Sequence, residues 1–289
     1  MTGVFKRRSV FLAAGVLAVG VLVNVASATH SWGGYHWART ANPFTLKLGD
    51  NTTSSDWSSH LAQTSKDWNA GTIQNPLTPS IPPPSPVITA VVPGQSTKRC
   101  SMVAGTTQVC NANYGFNGWL GLATISISGG THITQGSAKM NDSYFNTSTY
   151  NNPNEREHVM CQEVAHTFGL DHQSTDGSSQ NSCMDYFSNT GANAGSTLST
   201  KPNAHDFQEL GIIYQHLDTT TTVAATPSSK PSASNDASDE PNNWGMLVSQ
   251  SANGRSSTYE AHNQDGSKNV THVYWTLEAA AKCAGCDHR

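Results

Sequence analysis

Apolar and polar side chains alternate through Phe44-Thr45-Leu46-Lys47-Leu48, the period of a strand with one buried face. Just beyond, Trp57, Leu61 and Trp68 fall toward one side of residues 56–69, a spacing that predicts an amphipathic helix. Residues 87–92 and 109–112 read as two short strands. Residues 120–128, rich in β-branched side chains, read as another, stopped by the turn pair Gly129-Gly130. Asn152-Pro153-Asn154-Glu155 carries the proline and acidic signals of a helix start, and the helix it opens is predicted to end at Gly169. Phe207, Leu210, Ile213 and Tyr214 have helical spacing within residues 205–217. This mixture of elements predicts an α/β (α+β) fold around one sizeable core.

Two stretches interrupt the pattern. Residues 76–86 are dense in proline and should run extended, and residues 219–243, rich in Thr, Ser, Pro and Ala, lack the apolar side chains to build a core. Beyond that linker, residues 257–260 and 270–275 read as two strands around Asn263-Gln264-Asp265-Gly266. A lone hairpin is marginally stable, so this segment is expected to dock on the main domain through Trp244, Tyr259, Tyr274 and Trp275; an adhesive surface patch is the rival reading. At the other end, Lys6-Arg7-Arg8 precedes an apolar run and then Ala26-Ser27-Ala28, the pattern of a cleaved secretory signal. The apolar run is short for a membrane span, so no anchor is expected after cleavage. The chain therefore divides into a signal peptide at 1–28, a main domain at 29–218, a linker at 219–243 and a small C-terminal β segment at 244–289.

The chemistry concentrates in Cys161-Gln162-Glu163-Val164-Ala165-His166-Thr167-Phe168-Gly169-Leu170-Asp171-His172. Positions 162 and 166 lie one helical turn apart on one face, where two side chains can share a cation. Glu163 sits beside them as a carboxylate able to take a proton from water, and Gly169 allows the backbone to turn so that His172 returns to the same place. The string resembles the H-E-x-x-H-x-x-G-x-x-H signature of the metzincin metalloproteases, with Gln162 in place of the first histidine. Ser182-Cys183-Met184-Asp185-Tyr186 resembles the Met-turn of that family.

The resemblance implies a twisted, mostly parallel sheet with an active-site helix, zinc as cofactor, and hydrolysis of peptide bonds in a protein or peptide substrate. It implies Gln162, His166 and His172 as metal ligands, Glu163 as general base, Met184 as the Met-turn residue and Tyr186 as an oxyanion donor. It also implies a strand within residues 120–140 that binds substrate by adding it as an extra strand. Asp171 offers an alternative carboxylate ligand beside His172. His158 lies roughly 12 Å along the helix from His166, too far to share an ion, and His132 reads as a surface residue. A metzincin-like module that binds peptides without cutting them is the competing function.

Export permits disulfides. Cys100 and Cys110 flank a short turn-like segment, while Cys161 and Cys183 would join the helix to the Met-turn; Cys283 and Cys286 read as a local pair in the tail. The formal charge of −4 becomes −7 once Lys6, Arg7 and Arg8 leave with the signal peptide, and basic residues are scattered, which argues against a nucleic-acid partner.

Overall fold

The computed structural model describes residues 30–72, 85–96, 100–225, 239–282 and 286–288, together with Met1. Residues 2–29, which include nearly all of the expected signal peptide at 1–28, most of the proline-dense stretch, residues 226–238 of the expected linker and Cys283 lie outside the described residues.

The elements run β1 (His36–Trp37), β2 (Phe44–Asn51), α1 (Ser55–Asn69), β3 (Val87–Pro93), β4 (Thr106–Ala112), β5 (Trp119–Ser128), β6 (His132–Asn141), α2 (Asp142–Phe145), α3 (Pro153–His166), α4 (Ala204–Ile213), β7 (Met246–Gln250), β8 (Ser256–His262), β9 (Lys268–Trp275) and α5 (Leu277–Lys282). All the strands belong to one sheet of order β3-β2-β4-β6-β5-β9-β8-β7, with β1 beside the start of β6. The architecture is mixed α/β, but the sheet is not mostly parallel. Pairs β1·β6, β2·β3, β2·β4 and β4·β6 are parallel, whereas β5·β6, β5·β9, β8·β9 and β7·β8 are antiparallel. The physical reason is the C-terminal segment. Its three strands extend the sheet through hairpin-like neighbours, which need only short connections.

This addition changes the sheet's edges. β5 and β6, which span the region expected to receive a substrate strand, each have neighbours on both sides, so neither offers an open edge. The C-terminal aromatics are not a surface patch either: Trp244, Tyr259, Tyr274 and Trp275 are all buried. Alternation along β9 explains why. Val270 and Tyr274 join the main core beneath α3, while Val273 and Trp275 point the other way into a second cluster with Trp119, Leu122, Trp244 and Tyr259.

α3 starts where the sequence predicts. The Asn152 side chain accepts from the Glu155 backbone N–H at 2.9 Å, and Pro153 occupies the first turn, where its missing N–H costs nothing. The helix ends at His166, and Gly169 adopts φ +99°. A side chain there would be strained and would also collide with the Tyr35 carbonyl, so this turn is reserved for glycine. Cys161 and Cys183 are disulfide-bonded, tying α3 to the following turn, and Cys100 is bonded to Cys110. No helix among the described residues is long and apolar enough to cross a membrane.

Candidate metal centre

α3, the loop after Gly169, and β9 deliver three imidazoles to one point. His166, His172 and His272 each present a ligand atom, and these atoms all lie within 4.8 Å of one another. The rings themselves lie close together at inclined angles, with centroids 4.0 Å apart for His166 and His272 and 4.7 Å for each of the other two pairs. All three side chains are nearly inaccessible to solvent.

The hydrogen bonds assign the tautomers. His166 Nδ1 lies 2.7 Å from the Leu170 carbonyl, which can only accept, so Nδ1 carries the proton. His172 Nδ1 faces Asp171 Oδ1 at 3.1 Å and the Tyr186 hydroxyl at 2.9 Å. His272 Nδ1 lies 3.3 Å from Glu163 Oε2, so Nδ1 is the nitrogen engaged by the carboxyl group. In every case Nε2 is left buried with no hydrogen-bond partner among the described residues, as are Glu163 Oε1 and Gln162 Oε1. Buried polar atoms left unpaired cost about 1–3 kcal/mol each, and three such imidazole nitrogens converging on one point suit a bound cation. Three neutral imidazoles, each steadied through Nδ1, form a donor set that fits zinc. Burial lowers the pKa of all three: His272 falls to about 3, while His166 and His172 also feel the neighbouring imidazoles. The rings are therefore neutral, as ligands must be.

Gln162 occupies the expected place on α3, but its amide faces the Met-turn. Nε2 donates to the carbonyls of Cys183 and Asp185, both at 2.9 Å, and Oε1 has no hydrogen-bond partner among the described residues. Met184 is fully buried in the main core, and its N–H donates to Ser182 Oγ at 2.9 Å. Tyr186 lies against His172, with its hydroxyl between His172 Nδ1 and Ser256 Oγ of β8, so in this arrangement it holds that imidazole in place. His158 is spent on the same turn, bonding Asn189 Oδ1 and the Asp185 carbonyl. Asp171 is half-exposed and supports His172 through Nδ1. The residue missed from the sequence is His272. Its signal was its phase: it shares the inward face of β9 with Val270 and Tyr274.

Glu163 is fully buried, and desolvation pushes its pKa up to about 8 despite the nearby His166 and His158. With metal removed, this gives a testable pH profile. The folded chain keeps a proton on Glu163 that the unfolded chain releases above about pH 4.5, so Glu163 lowers stability as pH rises from about 4.5 to 8. The three histidines act oppositely. The unfolded chain protonates them below about pH 6.5 and the folded chain does not, so stability falls as pH drops through that value. Melting temperatures measured in chelator should therefore peak near pH 6.5, and Glu163→Gln should remove the alkaline decline.

β5 passes directly over Glu163. A Cβ on Gly121 would lie 2.5 Å from Glu163 Oε1 and 2.6 Å from Val159 Cγ1. Gly121→Val is expected to lower the urea midpoint by the equivalent of about 1–3 kcal/mol, because both neighbours are fully buried and would have to shift.

Beside the cluster, a cavity of about 370 Å³ opens between Trp32 and Tyr35 on one side and β7–β8 on the other; its lining includes His172 and Tyr186. Trp32 meets His166 and His272 edge-on, screening the imidazoles from water.

Neither a protein-family model nor a curated protein sequence matches the chain. Among solved structures, the chain has a weak likeness to one described as the structure of myroilysin, at a TM-score of 0.34 and 13% identity, over 64% of this chain and 98% of that one.

Proposed function

We propose that this chain is an exported zinc-dependent hydrolase of peptide bonds, in which His166, His172 and His272 hold the metal and Glu163 is the general base. The observation that carries this reading is the convergence of three unpartnered Nε2 atoms beside a buried carboxylate. Zinc, when bound, supplies a Lewis acid for polarising a carbonyl and lowering the pKa of water. The chain's own groups supply the rest. Glu163 Oε2 is held by His272, so Oε1 is the atom that takes a proton from the attacking water and passes it to the leaving amine. Tyr186 and Asp171 keep His172 oriented, and Gln162 fixes α3 to the Met-turn. A peptide would enter along the cavity beside Trp32 and Tyr35, since β5 has no open edge.

The burial of Glu163 and the engagement of the Tyr186 hydroxyl favour a second reading, a metal-holding module that binds peptides without turnover. An unstructured fluorogenic polypeptide separates the two. Cleavage that stops with chelator and returns with zinc supports the hydrolase, whereas peptide binding without cleavage in the zinc-replete chain supports the module.

A further inference from the structure

A second group of imidazoles lies away from the first, and none of its members takes part in the chemistry above. His36 comes from β1, His132 from the first residue of β6, and His216 and Asp218 from the chain just after α4. Asp218 Oδ1 is the hub: it lies 3.2 Å from His132 Nε2, 3.6 Å from His36 Nε2 and 3.7 Å from His216 Nε2. His36 Nε2 and His216 Nε2 are 3.1 Å apart.

We propose that His36, His132, His216 and Asp218 form a second, structural site for a nitrogen-preferring divalent cation such as zinc. Tetrahedral coordination at about 2.0–2.1 Å places neighbouring ligand atoms about 3.3–3.4 Å apart. His36, His132 and Asp218 present ligand atoms all within 4.8 Å of one another. His216 Nε2 joins them through His36 and Asp218, and the four contacts of 3.1 to 3.7 Å among these donors bracket that value.

The surroundings are built for it. His36 Nδ1 donates to the Gly34 carbonyl at 2.9 Å, which fixes the tautomer and leaves Nε2 with its lone pair toward the hub. Arg39 donates to Asp218 Oδ2 from its guanidinium at 2.9 Å and from its backbone N–H at 3.2 Å, so Oδ1 is the oxygen turned to the imidazoles. The same guanidinium donates to the carbonyls of Tyr214 and His216, holding the segment that carries two of the four donors. His36 is buried while His132 and His216 reach solvent, so an ion can enter without unfolding the chain. Three imidazoles and one carboxylate suit zinc over magnesium or calcium, which demand oxygen-rich shells. The site joins the N-terminal segment, the start of β6 and the end of α4, three pieces with no covalent link nearby. Its consequence is to hold the N-terminal segment, and with it Trp32 and Tyr35, against the main sheet.

The test is zinc counting by mass spectrometry on the full chain and two variants, each loaded with zinc chloride and dialysed. Wild type should hold two zinc ions per chain, His132→Ala/His216→Ala one, and His166→Ala/His172→Ala one. The first variant should also lose the part of the zinc-dependent rise in melting temperature that remains in the second. Equal zinc in wild type and His132→Ala/His216→Ala overturns this inference. Equal zinc in wild type and His166→Ala/His172→Ala, with loss in the other variant, upholds it and removes the metal from the proposed catalytic centre. Should the double variant fail to fold, His216→Ala alone, whose ring is half-exposed, is expected to weaken one of two zinc affinities by at least tenfold; two unchanged affinities would overturn the site.

Discussion

His272→Ala is expected to lower zinc affinity at the three-histidine centre by at least about 100-fold, since even residues that merely support a ligand are worth 10- to 100-fold. The comparison that gives this result meaning is Gln162→Ala. Gln162 sits where the sequence places a ligand, but its amide nitrogen bridges α3 to the carbonyls of Cys183 and Asp185. Losing those bonds should destabilise the fold by about 1–3 kcal/mol while leaving the three imidazoles in place. Competition with a chromophoric chelator, run in the His132→Ala/His216→Ala background, isolates the affinity. A larger loss for Gln162→Ala than for His272→Ala would restore glutamine as the third ligand.

The second large effect concerns turnover. Glu163→Gln should reduce kcat for peptide hydrolysis by about 10²- to 10⁴-fold, the usual contribution of a positioned general base. Zinc content should not change, because glutamine can still accept the bond from His272 Nδ1. Loss of zinc along with activity would mark Glu163 as chiefly a support for His272, and unchanged cleavage would place the base elsewhere.

Much of the centre was legible along the chain because its parts lie close in sequence. Asn152 and Pro153 announce α3, the 162–166 spacing follows helical geometry, and Gly169 is required by its positive φ. Local rules also placed β2, α1, β5 and α4 within a few residues. β6 and β7 were missed. β6 contains Gly136, Ser137 and Lys139, polar or small residues that a period-2 pattern does not pick out, and they are buried only because strands flank β6 on both sides. β7 is largely exposed on its outer edge.

The third imidazole was hidden for a different reason. His272 is 106 residues from His166 and beyond the linker, and it reaches the centre only because β9 pairs with β5, opposite Ala123. Nothing in the spacing of residues 161–172 encodes that pairing. The clue was a histidine in the buried phase of a strand, between Val270 and Tyr274, where an unpaired imidazole is costly. The sequence likewise places His132 at the surface, and its juxtaposition with His36 and Asp218 depends on three distant segments meeting.

Zinc-edge X-ray absorption on the His132→Ala/His216→Ala variant tests the central claim most directly, because it reads the ligands of the remaining ion. A first shell with three imidazole nitrogens at about 2.0–2.1 Å, reduced to two by His272→Ala, is the predicted result. A shell that keeps its imidazole count in His272→Ala would contradict the account, as would a zinc-loaded chain with no ordered site at all.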